Sequence, residues 1–410
     1  MGHLTPRKQD RPNLSIDMSR IDKVIELNQE DMTATIGAGA KGPILEEQLN
    51  QAGYTLGHFP QSWEYSTLGG WIATRSVGQQ SYHYGRIEPL FVGGHLETPS
   101  GPLDIPNTPK SAAGPDLRHL MLGSEARLGV ITHATMRIRP LPKTEKFYAA
   151  FFPNWEEGVK AEMEIAQCEI PVSMSRLSNP VETETTLQLS GEESLVKYAK
   201  MGLNLFGQGE QRALLLYGVT GEPAMTRLAK RQVAEVIRRH HGLAVNFYLG
   251  PAWMRKRYLT PYLRNTLWEL GYALDTLETC LPWSSLIDCN TAILNDIQHS
   301  LEDINERVLV FSHISHIYTN GGSMYVTYLY RRASDPLETL NRWKHIKGLA
   351  SKRIVEHGGT ISHQHGVGLD HKQYLQEEKG QLGMALIRSS IKQIDPQAIF
   401  NPGKLVDLEG

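Results

Sequence analysis

The 410-residue chain sets 42 Lys and Arg against 44 Asp and Glu, a formal charge of −2, with 40% hydrophobic and 21% charged residues. That balance excludes collagen-like, coiled-coil and disordered classes, and it lacks the basic excess by which a dedicated nucleic-acid binder offsets phosphate charge. The length predicts about two or three domains with a sizeable core, and the expected partner is a small-molecule substrate, not nucleic acid.

No stretch approaches the ~18 uninterrupted apolar residues of a membrane span, so no transmembrane segment is expected. The opening MGHLTPRKQDRPNLSIDMSR alternates charge with proline and lacks the apolar core of a secretory signal. Cys168, Cys280 and Cys289 are odd in number and lack metal-type spacing. A cytoplasmic chain with reduced thiols is therefore expected, and a homodimer is left open.

Up to Pro142 the chain is rich in Gly and turns, with β-type runs at TATIGAGA, IEPLFVGGHLETPSGPLDI and LGVITHATMRIRP. Between them ILEEQLNQAGY places Ile44, Leu45 and Leu49 at helical spacing. At Pro140 to Pro142 the texture changes to longer alternating strand and helix patterns, so a domain boundary is placed there, giving domains 1–142 and 143–410. FYAAFF reads as a strand, and Asn154 with Glu157 three residues on reads as a helix start. The strand VSMSRLS follows, then RALLLYGVTG, the helix MTRLAKRQVAEVIRRHHG and the strand LAVNFYLG. This repeated order predicts a ferredoxin-like sheet with helices on one face. RVLVFSHISHIY and GSMYVTYLYRR flank Asn320-Gly321, a hairpin signal because both residues tolerate positive φ. A helix from Pro336 to His357 stops at Gly358-Gly359.

Two segments combine small side chains with free backbone amides. One is Pro60 to Arg75, where Ser66, Thr67, Gly69 and Gly70 let the main chain approach a phosphate or flat ring, although such turns also occur on plain surfaces. The other is Gly123 to Thr132, a turn feeding a β-branched strand that can offer amides in fixed geometry. In an extended stretch His363 and His365 share a face, whereas His313 and His316, three apart, oppose each other unless a bulge intervenes.

In order and spacing these segments resemble the flavin-binding half of the vanillyl-alcohol oxidase and p-cresol methylhydroxylase superfamily, closest to the alkyldihydroxyacetonephosphate synthase branch and its bacterial FAD-linked oxidase relatives. The resemblance runs from about Leu14 to Leu405 through PQSWEYSTLGGWIATRS, Tyr84-Gly85-Arg86-Ile87-Glu88, Ala113-Gly114-Pro115-Asp116, GSEARLGVIT, His363-Gln364-His365-Gly366-Val367-Gly368 and Asn401-Pro402-Gly403-Lys404-Leu405. It implies an α+β fold: a p-cresol-methylhydroxylase-type FAD-binding domain over 1–142, and an antiparallel-sheet cap over 143–410 whose C-terminal segment returns to the FAD site. FAD is the implied cofactor. Family members carry a Gly-rich pyrophosphate loop ahead of the region matching Leu14, so that loop is expected to be missing here.

By the same resemblance Pro60, Gln61, Ser62, Trp63, Glu64, Tyr65, Ser66, Thr74, Arg75, Ser76 and Val77 would line the flavin. Glu125, Ala126, Arg127, Leu128, Gly129, Val130 and Ile131 would meet its adenine and ribitol side. Lys404 is similar to a family flavin contact, the bland alternative being a solvated tail. Ala126-Arg127 replaces the family's Gly-Thr, leaving Arg127 either to solvent or to the cofactor phosphates. Arg176 matches an arginine placed over the flavin, whose partner is either a carboxylate or a substrate anion. Tyr330 matches the branch's acid/base tyrosine when its strand is aligned from the C-terminal end, whereas alignment from the hairpin puts Tyr328 there. His363 and His365 are the proton-transfer candidates, with His313 and His316 on the substrate side. No metal is expected, since Gln364 removes the carboxylate that a two-His zinc site of the related dehydrogenases uses. Implied activities are an exchange of acyl chain for fatty alcohol at a dihydroxyacetone phosphate, oxidation of a D-2-hydroxyacid, or no catalysis in a flavin-free homologue.

Overall fold

The computed structural model describes residues 12–189, 193–245 and 249–408. Asn246 to Tyr248 of the predicted strand LAVNFYLG, and the first eleven residues, lie outside the described residues. The chain forms two compact units. One ends at Leu141 and resumes at Ile361, and the other runs Pro142–Thr360.

The first unit contains β1 (Val24–Asn28), β2 (Thr33–Gly37), the short β3 (Tyr54–Thr55), β4 (Phe91–Thr98), β5 (Gly101–Ile105), β6 (Val130–Arg137) and β7 (Arg139–Pro140). Five of them make an antiparallel sheet in the order β1-β2-β6-β4-β5, and β3 pairs with β7. Helix α1 (Gly42–Gln51) buries Leu45 and Leu49 on one face, as their spacing predicts. The Gly-rich segment expected to be a turn instead closes into helix α2 (Leu68–Thr74), capped by Thr67, whose hydroxyl accepts from the Gly70 amide. Trp71, Ile72, Ile36, Ala134 and Met136 form part of one core with Leu375, Met384 and Ile391 of the C-terminal helix Leu375–Ile394.

The second unit holds β8 (Thr144–Phe152), β9 (Met174–Ser178), β10 (Ala213–Gly221), β11 (Leu243–Val245), β12 (Tyr272–Pro282), β13 (Leu309–Tyr318) and β14 (Gly321–Arg331). They make one antiparallel sheet in the order β11-β8-β10-β9-β13-β14-β12. The first four strands have the ferredoxin-like order. Their helices are α3 (Trp155–Gln167), capped by Asn154 through the Glu157 amide, and α5 (Pro223–Arg239), while α4 (Pro180–Leu189) follows β9 directly. Helices α6 (Trp283–His299) and α7 (Pro336–Glu356) pack with the other half.

The β13–β14 hairpin forms where predicted, for a different reason. Tyr318 pairs with Gly321 across a two-residue loop, and neither Asn320 nor Gly321 takes a positive φ. Gly321 is needed because a Cβ there would sit 2.1 Å from the Leu281 carbonyl oxygen. Close strand approach, not turn handedness, dictates the glycine.

Helix α3 also carries Glu162, fully buried and in no ion pair among the described residues. Burial pushes its carboxyl up to about 8, against a weaker pull from Ser175. The folded chain thus keeps Glu162 neutral over a pH range where the unfolded chain ionises it. Stability falls as pH rises from the ordinary glutamate range toward 8. Glu162→Gln removes this titration. Relative to wild type, its Tm should rise by several degrees between about pH 4.5 and pH 8, worth about 4 kcal/mol across the interval. A difference that stays constant with pH would show that the carboxyl is ionised in the fold.

Candidate functional site

The candidate residues occupy both units, and each set is built within its own. In the first unit the end of α2 meets the 123–129 turn, where the Gly123 amide donates to Ile72 O (3.0 Å) and that of Glu125 to Ala73 O (2.9 Å). The start of α2 is tied to the loop after β2 by Leu68 N to Ala40 O and Gly69 N to Ala38 O. Pro60 to Ser66 form a closed turn in which the Ser66 hydroxyl donates to Ser62 O (2.8 Å) and accepts from Trp71 Nε1 (2.7 Å). Within that run Trp63 lies over Gly42, while Gln61, Glu64 and Tyr65 are exposed. Thr74 bonds back to Gly70 O, Arg75 takes a left-handed φ of 53° and reaches Leu122 O, and Val77 is core.

Two residues before Pro60 lies His58, which sequence reasoning missed. Its Nε2 is 3.1 Å from the Ser76 hydroxyl and its ring rests 4.9 Å from that of Trp71. Its Nδ1 is buried and makes no hydrogen bond among the described residues. Burial, aided by Arg86, pushes it down to about 3, so the ring is neutral.

The 123–131 segment departs from expectation in its side chains. Glu125 and Ala126 both take left-handed φ, 49° and 57°. The buried Glu125 carboxylate accepts the amides of Val367 and of Gly368 (2.8 Å), while Asn401 Nδ2 donates to Glu125 O (2.6 Å). Arg127, 1% exposed, points to neither solvent nor an open phosphate site, because its Nη1 donates to Phe400 O (2.7 Å). Desolvation lowers its basicity, with Asp395 and Asp407 opposing. Asp395 in turn accepts the amides of Ile399 and Phe400. Leu128 and Ile131 join the core, Val130 is half-buried, and Gly129 leaves no room for a Cβ against Glu97 O. The return segment is therefore bolted to the 123–127 turn. Lys404 lies in it fully buried, which corrects the solvated-tail alternative.

His363 belongs to the same unit and is buried. Arg86, itself paired with Glu88, donates to His363 Nε2 (2.8 Å) and to its carbonyl (3.2 Å). Because a guanidinium can only donate, Nε2 is an acceptor, and a neutral His363 carries its proton on Nδ1. His365 is half-buried two residues on, in irregular backbone, not a strand.

In the second unit strand register assembles a polar row. Ser178 of β9 pairs with His313 of β13, His313 with Tyr325 of β14, and Tyr325 with Glu278 of β12. Cross-strand partners share a face, so all four side chains project from one side of the sheet. A bulge after Ile314 adds the extra residue that brings His316, paired with Ser323, onto the face of His313. The bulged Ser315 donates to Glu278 (2.5 Å) and lies 2.7 Å from the Ser323 hydroxyl.

Arg176, two residues before Ser178, lies on that face and meets a protein carboxylate. Its Nη2 is 2.7 Å from Glu182 Oε1 and 3.2 Å from His313 Nδ1, and both Glu182 oxygens are 3.1 Å from that Nδ1. Burial alone would raise the Glu182 carboxyl, but Arg176 and His313 hold it well below the usual range. Glu182 was not anticipated. Its signal is the run Ser178-Asn179-Pro180-Val181-Glu182, in which Asn179 accepts the Glu182 amide (2.9 Å) and Pro180 opens α4.

Tyr330 is not brought to this row. It lies an odd number of residues from Tyr325 along an unbroken register, hence on the opposite face. There it is buried, donates to Thr339 O (3.3 Å) in α7, and is pushed up to about 12 by burial. Tyr328 occupies the same face, bonded to Asp275.

Comparison with known proteins agrees across the chain. A family model described as FAD linked oxidases, C-terminal domain, matches residues 141–405, and one described as FAD binding domain matches 2–103. The alkyldihydroxyacetonephosphate synthase of Dictyostelium discoideum is 31% identical, over 99% of this chain and 67% of its own length. The Escherichia coli K12 FAD-linked oxidoreductase YgcU, itself uncharacterized, is 28% identical over 96% of this chain and 79% of its own. A solved alkyldihydroxyacetonephosphate synthase superposes with a TM-score of 0.80 at 31% identity, covering 95% of this chain and 68% of that one. The structure of p-cresol methylhydroxylase shares the fold, with a TM-score of 0.68 at 14% identity, over 96% of this chain and 79% of that one. This chain spans about two thirds of the length of the synthases.

The Glu125 clamp has a direct test. Glu125→Ala removes a charged acceptor from two backbone amides, each such bond being worth about 1.5–3 kcal/mol. Hydrogen exchange at Val367 and Gly368 should accelerate at least about 100-fold, with the amides of β10 unchanged. Unaltered exchange at both positions would show that the clamp does not hold the return segment.

Proposed function

From a chain that belongs to the FAD-linked oxidases, a family of FAD-binding enzymes, we propose an enzyme that acts on a small anionic or lipid-derived substrate in the manner of the alkyldihydroxyacetonephosphate synthases. Segments 60–66, 74–77 and 125–131, with Lys404, would hold FAD, whose N5 supplies the reactive centre when bound. The side chains of Glu125 and Arg127, committed to the return segment, would contribute through backbone alone. The polar row carries this reading: it sets a neutralised guanidinium–carboxylate pair beside imidazoles on one sheet face, a set suited to holding and moving a proton. His363, held by Arg86, and His365 are the further proton-transfer candidates, and Tyr330, bonded into the α7 face, is left out of the chemistry.

A second reading, oxidation of a D-2-hydroxyacid, requires net electron transfer to an acceptor. Protein reconstituted with FAD, given palmitoyl-dihydroxyacetone phosphate and hexadecanol, should release palmitate and form the alkyl ether without reducing a dye. Dye reduction driven by D-lactate or D-2-hydroxyglutarate, with no ether formed, would overturn the synthase-like reading in favour of the second. A chain that takes up no FAD would overturn both and leave the flavin-free alternative.

A further inference from the structure

Glu182, His313 and Arg176 form a closed triangle within one unit. Both Glu182 oxygens face His313 Nδ1 at 3.1 Å, an arrangement that is repulsive unless Nδ1 carries a hydrogen; the Arg176 Nη2 that also lies 3.2 Å from Nδ1 makes its shorter bond, 2.7 Å, to Glu182 Oε1, so the two acceptors outweigh the one donor. The proton of a neutral ring is thereby fixed on Nδ1 and the lone pair on Nε2, which makes no hydrogen bond among the described residues. The ring is held in plane by Tyr325, stacked at 5.0 Å and 14°. A carboxylate that fixes the tautomer of an imidazole and compensates its charge when protonated is the arrangement by which histidine serves as a general base.

Arg176 closes the triangle, with Nη2 2.7 Å from Glu182 Oε1 and 3.2 Å from His313 Nδ1. Its positive charge is matched by Glu182, so it keeps that carboxylate ionised and is not a free anion receptor. The charged and titratable groups facing His313 are Arg176 from β9, Glu182 from α4, Tyr325 from β14, Glu278 from β12 and His316 on its own strand. Burial and Arg176 lower the ring's proton affinity while Glu182 and Glu278 raise it. The net direction is downward, which leaves the base unprotonated at neutral pH.

We propose that His313 takes the proton that the substrate must lose, with Glu182 as the residue that positions it and Arg176 as the residue that keeps Glu182 charged. In that step a substrate O–H or C–H bond breaks and an Nε2–H bond forms. The bonding pair stays on the substrate, and the imidazolium charge is balanced by Glu182. The inference rests on the reading under Proposed function, because it needs a reaction in which a proton leaves the substrate.

The test uses the FAD-loaded chain as wild type, His313→Gln and Glu182→Gln, with FAD content measured first and expected to agree within about twofold. With palmitoyl-dihydroxyacetone phosphate and hexadecanol, kcat/KM should fall about 100- to 1,000-fold in His313→Gln, and the acid limb of its pH profile should vanish. Glu182→Gln should lose about 10-fold or more while retaining a displaced acid limb. Nitrogen-15 histidine spectra of the wild type should report the Nδ1–H tautomer at His313. Full activity with an unchanged acid limb in His313→Gln, or an Nε2–H tautomer in the wild type, would overturn the proposal. If the FAD-loaded wild type turns over no probe, the functional reading fails; the tautomer then still decides whether His313 presents a base.

Discussion

A guanidinium and a carboxylate 2.7 Å apart, both drawn away from water, set the terms for the whole sheet of the second unit. Removing two such ions from water costs several kcal/mol each, and their mutual attraction repays it when the remaining donors and acceptors are also satisfied. Here they are, since Arg176 also reaches Ser178, and Glu182 takes a contact from His313 and lies in the first turn of a helix. The same sheet face is apolar on its β8-β10 side, with Phe147, Ala149, Phe151, Leu214 and Leu216 in one cluster, and polar from β9 onward. A buried polar half on an otherwise packed sheet is expensive, and that cost is the physical ground for the proposal that chemistry takes place there.

The first unit solves a different problem. Its 361–408 segment arrives from the far side of the second unit in sequence, and much of it is irregular backbone that must satisfy its own amides. Glu125 and Asp395 do this by accepting two amides each, while Arg127 covers the Phe400 carbonyl. The backbone of Gly123 and Glu125 is bonded to the end of α2, so the segment most similar to a flavin-binding turn is also the one that fixes the chain's return. Two left-handed residues in succession, Glu125 and Ala126, are the conformational cost of aiming one carboxylate at 367–368.

Much of the fold was legible because it rests on local signals. Asn154 and Asp335 cap their helices through the amides that N-cap chemistry requires, and the alternation of strands and helices gave the ferredoxin-like half. The site was less legible, because register decides it. Three-residue spacing puts His313 and His316 on opposite faces, and the bulge at Ser315 that reverses this is specified by pairing with Met324 and Ser323, not by local composition. The face of Tyr330 likewise follows from its partner Ala273 and was ambiguous until the strand ends were fixed. Arg127 read as a surface or phosphate group because nothing in its neighbours announces Phe400, 273 residues later. Glu182 could have been found: Asn179-Pro180 marks a helix start, and a glutamate two residues past that proline falls in the first turn, just beyond the strand of Arg176.

The central claim is that Arg176 and Glu182 are tolerated in this sheet because each neutralises the other. A double-mutant cycle with Arg176→Met and Glu182→Met, read by chemical denaturation at pH 7, tests it most directly. Each single change strands a buried charge and should cost about 3–5 kcal/mol, while the double variant should recover most of that loss, with a coupling of at least about 2 kcal/mol. Additive losses, with the double variant as destabilised as the two singles summed, would contradict the account.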